Sequence, residues 1–252
     1  MLVTGLVLLS DQMALERSVD VIANNIANSS TVGFKREGIQ FDTLLTPTPG
    51  ANATLPGQRG INFVYDRATY RDTTPGTITN TGNPLDLAIQ GSGYFKIQTA
   101  QGTRYTRDGA FCTDNQGNLV TSTGKMVLSD GGQPITIPDG ASNITVSGEG
   151  DVSVQVGTVT SRTNLGKIAV VKFADEQQMS PAGNGLYATT QQETPVTGMP
   201  IVEGALEQSN VKPVVEITDL IKIQRAYEQA TNLISQQNQR LDNAIDKLSA
   251  TS

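Results

Sequence analysis

Apolar positions in the last stretch of the chain, Val214 to Ser252, recur at alternating spacings of three and four. With Ile217 at position a of a heptad, the a residues are Ile217, Gln224, Thr231, Asn238 and Ile245. The d residues are Leu220, Tyr227, Ile234, Leu241 and Leu248. The stretch holds neither Gly nor Pro, which predicts one helix about 50 Å long at 1.5 Å per residue. The same rhythm runs from Leu6 to Val32 through Leu8, Leu15, Val19, Ile22 and Ile26, with Gln12 at the polar seam position. A second strip, Leu2, Leu6, Leu9 and Met13, lies beside it near the start. The two patterns predict terminal helices that pair as a coiled coil. Gly33 stands where the first helix is expected to stop, in the left-handed conformation glycine tolerates.

Between the helices the period falls to two. Ile61, Phe63 and Tyr65 alternate with Asn62 and Val64, and Leu85, Leu87 and Ile89 alternate with Asp86 and Ala88. Short strand-like runs follow from Tyr94 to Leu186, punctuated by Gly-Ser-Gly, Asp-Gly, Asn-Gln-Gly-Asn and Asp-Gly-Gly. Pro, Gly, Asn, Thr and Ala dominate Thr46 to Gly60, which reads as a flexible loop. The expected architecture is mainly β with long terminal α-helices: residues 1–35 and 212–252 form a coiled-coil domain, 36–60 a linker, and 61–211 a central antiparallel β-rich domain.

Composition narrows the chemistry. A formal net charge of −6 with no basic run argues against a phosphate-backbone binder, so no nucleic acid is expected as a partner. The apolar run Leu6 to Leu9 is far below the roughly 20 residues a membrane span needs, so no membrane insertion is expected. Asp11, Glu16, Arg17 and Asp20 interrupt any signal-peptide core. The chain has no histidine, which removes His-based triads and the commonest metal ligand. Cys112, the single cysteine, sits in a strand-like Ala-Phe-Cys-Thr run and is expected to be a small buried hydrophobe. No cofactor and no metal are expected.

Several motifs resemble signatures of the bacterial flagellar rod and hook family. Ile22-Ala23-Asn24-Asn25-Ile26-Ala27-Asn28 followed by Thr31-Val32-Gly33-Phe34-Lys35-Arg36 is similar to its N-terminal signature. Thr81 to Gly91 with Gly93-Tyr94-Phe95, and Tyr105 to Phe111 with Gly117 to Thr121, resemble its central motifs. Gly204 to Val211 and Ile223 to Glu228 resemble its C-terminal signature. The resemblance spans nearly the whole chain in order. The length and the opening Leu8 to Glu16 are most similar to a proximal-rod member, with a distal-rod member as the alternative.

The resemblance implies a structural subunit, not an enzyme, that builds the drive shaft between motor and hook. Its implied partners are other copies of itself, other axial proteins and the flagellum's type III export apparatus, which passes the chain without signal-peptide cleavage. Because the two helical seams sit at the extreme ends of the chain, they are expected to be covered by neighbouring subunits more than by an intramolecular core, and the three amides Asn24, Asn25 and Asn28 in a five-residue window suggest hydrogen bonds across subunits. Polar Gln224, Thr231 and Asn238 at three successive a positions would leave an unpaired helix marginal, so both termini are expected to order on assembly. Two other classes stay open: an extracellular β module binding glycans through Tyr65, Tyr70, Tyr94 and Tyr105, and a hydrolase using a pair from Asp86, Asp108 and Asp114.

Overall fold

The computed structural model describes residues 2–46, 61–157, 161–196, 198 and 201–249; within them, side chains 2–6, 42–46, 61–67, 241, 244, 245, 248 and 249 lie outside the description. The chain divides into two compact units. One holds residues 1–27, 37–71 and 212–252, and the other holds 28–36 and 72–211.

The first unit is built from α1 (Leu2–Ala27), β1 (Glu37–Thr46), β2 (Ile61–Arg71) and α2 (Pro213–Ser249). Pro213 opens α2 in the first turn, where its missing N–H is one that has no intrahelical partner, and the Lys212 carbonyl accepts from the Val215 and Glu216 amides. The strands form an antiparallel hairpin with Glu37 opposite Arg71 and a register shift between Gln40 and Phe41. Part of the segment expected as a linker, 36–60, is therefore strand; residues 47–60 lie outside the described residues.

The helices run antiparallel, because Gln12 meets Tyr227 while Asn25 meets Glu216. They do not form the expected coiled coil. A two-stranded coil buries one a/d seam per helix, but α1 buries two stripes. Leu8, Gln12, Leu15, Val19, Ile22 and Ile26 make one, and Ala14, Ser18, Val21 and Asn25 the other. The second stripe exists because α1 packs on β1 and β2 as well as on α2. The a positions of α2 are also shifted by one residue, while the d positions Leu220, Tyr227 and Ile234 stand. The covered positions of α2 are Glu216, Leu220, Ile223, Tyr227, Ala230, Ile234 and Gln237, whereas Ile217, Gln224, Thr231 and Asn238 are exposed. The correction is an antiparallel helix pair backed by a hairpin.

The second unit carries the remaining strands: β3 (Ile78–Asn80), β4 (Leu87–Ile89), β5 (Tyr94–Thr99), β6 (Gly102–Thr106), β7 (Phe111–Thr113), β8 (Leu119–Thr121), β9 (Met126–Val127), β10 (Ala141–Val146), β11 (Asp151–Val156), β12 (Arg162–Lys167), β13 (Val170–Lys172), β14 (Ser180–Pro181), β15 (Leu186–Ala188), β16 (Thr194–Pro195), β17 (Ile201–Glu203) and β18 (Ala205–Glu207). The main sheet has the order β14-β15-β6-β5-β9-β8-β7, with β13 joining β5 to β16. β10, β11 and β12 form a second sheet, and β17-β4 and β18-β3 are separate pairs.

Strand alternation sends neighbouring side chains to opposite faces. Phe95 and Ile97 enter the larger core with Leu87, Phe111, Val127, Ile135, Val152 and Ile168. Tyr94 turns the other way and joins Tyr105, Val171, Phe173, Met179 and Tyr187 in a smaller aromatic cluster. The Tyr94 and Tyr105 hydroxyls donate to Glu176 and Glu193 at 2.9 and 3.0 Å. Cys112, on terminal strand β7, faces outward rather than into the core, because Phe111 beside it takes the inward position.

Candidate functional site

The helix pair is held by polar contacts as well as apolar ones. The Gln12 amide donates to the Tyr227 hydroxyl at 2.7 Å, so the one polar seam position of α1 is answered across the pair. Asn25 is fully buried. Its side chain donates to the Glu37 carbonyl at 2.8 Å and accepts from the Glu37 amide at 2.9 Å. The same side-chain nitrogen lies 3.2 Å from the Glu216 carboxylate, which is itself buried. Asn25 thus fixes the start of β1 to α1 inside one chain instead of reaching across subunits. Asn24 is exposed, and Asn28 belongs to the other unit, where its side chain accepts from the Thr31 hydroxyl.

Of the predicted seam residues, Leu8, Leu15, Val19, Ile22, Ile26, Leu220, Tyr227 and Ile234 are covered within the unit. Ile217 and Gln224 are not. The side chains of Leu241, Ile245 and Leu248 lie outside the described residues.

What the unit leaves uncovered is a set of large apolar side chains. On α2, Val214 is 78% exposed, and Ile217 and Ile221 continue the same outward face at spacings of three and four. On α1, Leu9 and Met13, the latter 63% exposed, make a second outward pair. Leu233 and Phe41 are also exposed, and they line a groove of about 410 Å³ with Leu8, Leu15 and Ala230. A soluble surface rarely concentrates apolar side chains in this way without a partner for them.

In the second unit, three signature segments converge on one buried ion cluster. Lys35 and Glu207 are each 1% exposed, with Nζ 2.5 Å from Oε1. Lys35 also donates to the Thr74 carbonyl at 2.9 Å, and the Gly76 amide donates to Glu207 at 2.9 Å. Arg107 lies 3.6 Å from the other Glu207 oxygen and stacks 5.7 Å from the Tyr94 ring centre. Burial pushes the Lys35 ammonium below its ordinary value, while the Glu207 carboxylate pulls it back up. The cluster closes the unit around residues that are 172 positions apart.

Gly33 belongs to this cluster and does not end α1, which stops at Ala27. Its φ is +67°, and its amide donates to the Glu207 carbonyl at 2.8 Å. A Cβ there would stand 2.6 Å from the Arg107 carbonyl carbon, so the position requires glycine twice over. Asn210 adds a tie, accepting from the Arg36 amide and donating to the Asp72 and Thr74 carbonyls. Sequence reasoning picked out these segments by resemblance. It did not find the Lys35–Glu207 pair, because no periodicity links residues so far apart.

The three aspartates weighed as a catalytic pair serve turns. Asp86 accepts from the Asn83 side chain, Asp108 from the Ala110 amide, and Asp114 from the Gln116 and Asn118 amides. Burial raises the Asp108 carboxyl above its ordinary value, with a further push from Asp86. The Asn118 side chain and amide hold Asp114 below its own.

Comparison with known proteins agrees with this layout. Residues 6–35 match the family described as "Flagella basal body rod protein", residues 88–154 "Flagellar hook protein FlgE/F/G D1 domain", and residues 202–247 "Flagellar basal body rod FlgEFG protein C-terminal". The chain is 41% identical over 242 residues to the flagellar basal-body rod protein FlgF of Caulobacter vibrioides, covering 95% of each. It is 36% identical to FlgF of Mesorhizobium japonicum, covering 98% of each. It is 39% identical to the flagellar basal-body rod protein FlgG of Caulobacter vibrioides, covering 92% of this chain and 94% of that one.

Proposed function

The chain belongs to the flagellar basal-body rod protein family, as a structural subunit of the rod in the basal body, and we propose that it polymerises through α1 and α2 as a proximal-rod subunit. The observation that carries the mode of assembly is the uncovered apolar surface of the helix unit, at Val214, Ile217 and Ile221 on one helix and Leu9 and Met13 on the other. Covering it removes apolar area from water, which is the main driving force of association. The partners are other copies and other axial proteins, and the chain reaches them through the flagellar export apparatus. It works by carrying torque, without catalysis.

The proximal assignment follows the similarity to FlgF, 41% over 95% of the chain, against 39% over 92% for FlgG of the same organism. Labelling tests it. Basal bodies purified from cells carrying an epitope-tagged copy should show the tag on the rod at its motor-proximal end. A tag confined to the hook-proximal end would replace the proximal reading with the distal one, and an untagged rod would sink both.

A further inference from the structure

We infer that two different faces of the helix unit meet between copies, the α2 ridge of Val214, Ile217 and Ile221 entering the groove lined by Leu8, Leu15, Phe41 and Leu233 of the next copy. This rests on the proposed self-assembly and says which surface meets which. The ridge lies at one end of the antiparallel pair, at the start of α2 near Asn25 of α1, whereas the groove lies along its middle, walled by Ala226 to Leu233 of α2 and by Leu8 to Ser18 of α1.

Size and charge both fit. The ridge from Val214 to Ile221 is about 10 Å long at 1.5 Å per residue and the α1 wall from Leu8 to Ser18 about 15 Å, so the groove is long enough to take it. The ridge is bordered by the exposed Arg225 and by Lys222, which is ion-paired with Asp219 at 2.8 Å, and the groove by Asp11. The outward face of α2 after Arg225 turns polar at Glu228, Asn232, Ser235 and Gln239, so the apolar ridge does not continue along the helix. A patch that fits a different patch on its neighbour makes a head-to-tail contact, and such contacts propagate into rings or open polymers instead of closing as two-fold dimers.

Cross-linking of the full chain tests the inference. In a Cys112→Ser background, Ile221→Cys and Leu233→Cys variants are prepared separately and treated with a short bismaleimide. The concentration is one at which the parent chain self-associates by sedimentation. Both positions are exposed, and Val214→Cys serves as a second ridge variant should Ile221→Cys not fold. Expected is cross-linked dimer in the mixture and its loss in either variant alone. Dimer from Ile221→Cys alone would indicate a symmetric ridge-to-ridge contact and overturn the pairing. Association without cross-linking would overturn the pairing and leave self-assembly standing, whereas a parent chain that stays monomeric at every concentration would overturn both.

Discussion

Lys35 and Glu207 stand 2.5 Å apart with 1% of each side chain exposed. One comes from the segment just after α1 and the other from the strand just before α2, so the β unit closes only when both ends of its chain are in place. Removing one partner leaves a buried charge uncompensated, which costs about 3–5 kcal/mol in comparable pairs. Glu207→Gln is therefore expected to lower unfolding free energy by about that amount in denaturant titrations. The Lys35→Met, Glu207→Leu double variant should cost less than the sum of the singles.

The pH dependence of Glu207→Gln follows from Lys35. Its folded-state value already lies below 10.5, chiefly through burial, and losing the carboxylate removes the main opposing influence. The charged ammonium then penalises the fold until it deprotonates. The defect relative to the parent should shrink as pH rises from the variant's further lowered value toward the parent's own lowered one, below 10.5. Unfolding midpoints measured across that window check it. A defect constant with pH would mean that Lys35 is not the group left stranded.

Gly33 and Gly82 make a matched pair. Both have positive φ, +67° and +73°, but a Cβ on Gly82 meets nothing within 4 Å while one on Gly33 meets the Arg107 backbone. Gly82→Ala should cost about 1–2 kcal/mol, the left-handed penalty for an L-residue. Gly33→Ala should cost clearly more, because backbone atoms must move. Equal losses in thermal unfolding would refute the close approach.

Asp108→Asn is expected to stabilise the chain at neutral pH. Burial raises this carboxyl above 3.8, so its ionised form costs stability at pH values above the raised one. An amide oxygen can still accept from the Ala110 amide. The gain should fade as pH falls and vanish below 3.8, where aspartate is neutral in folded and unfolded chains alike. A gain that persists at pH 3 would assign the effect to something other than charge.

Asn25→Ala and Gln239→Ala separate an intramolecular tie from an exposed position. The first leaves the Glu37 amide and carbonyl without their side-chain partner, a loss of about 1–3 kcal/mol per buried group. The second should change stability by less than about 0.5 kcal/mol. Chemical denaturation of both variants decides the matter. Similar small effects would place Asn25 elsewhere than against Glu37.

The d positions Leu220, Tyr227 and Ile234 were legible because apolar residues at sevenfold spacing need a cover. The a positions were not. Ile217 is apolar and attracted the register, whereas the true seam residue beside it is Glu216, a carboxylate that sequence pattern assigns to solvent. Its carboxylate accepts from Asn25, 191 residues earlier. Polar burial of this kind is set by a partner, and no local window contains the partner. The same reason hid β1, whose Glu37–Thr46 pairs with β2 across a long connection. Cys112 was misread because a three-residue strand gives too little alternation to fix which side faces inward. The central strands from Tyr94 to Leu186 were readable because each is bracketed by turn residues with their own local chemistry.

The most direct test of the assembly account is swimming of cells whose copy carries Ile221→Asp. Ile221 is 45% exposed and outside the helix seam, so the charge should leave the purified chain's melting temperature near that of the parent, unlike Leu220→Asp in the seam. The account predicts that these cells export the protein, fail to incorporate it into basal bodies and do not swim. Parental swimming, with the variant present in purified rods, would contradict it.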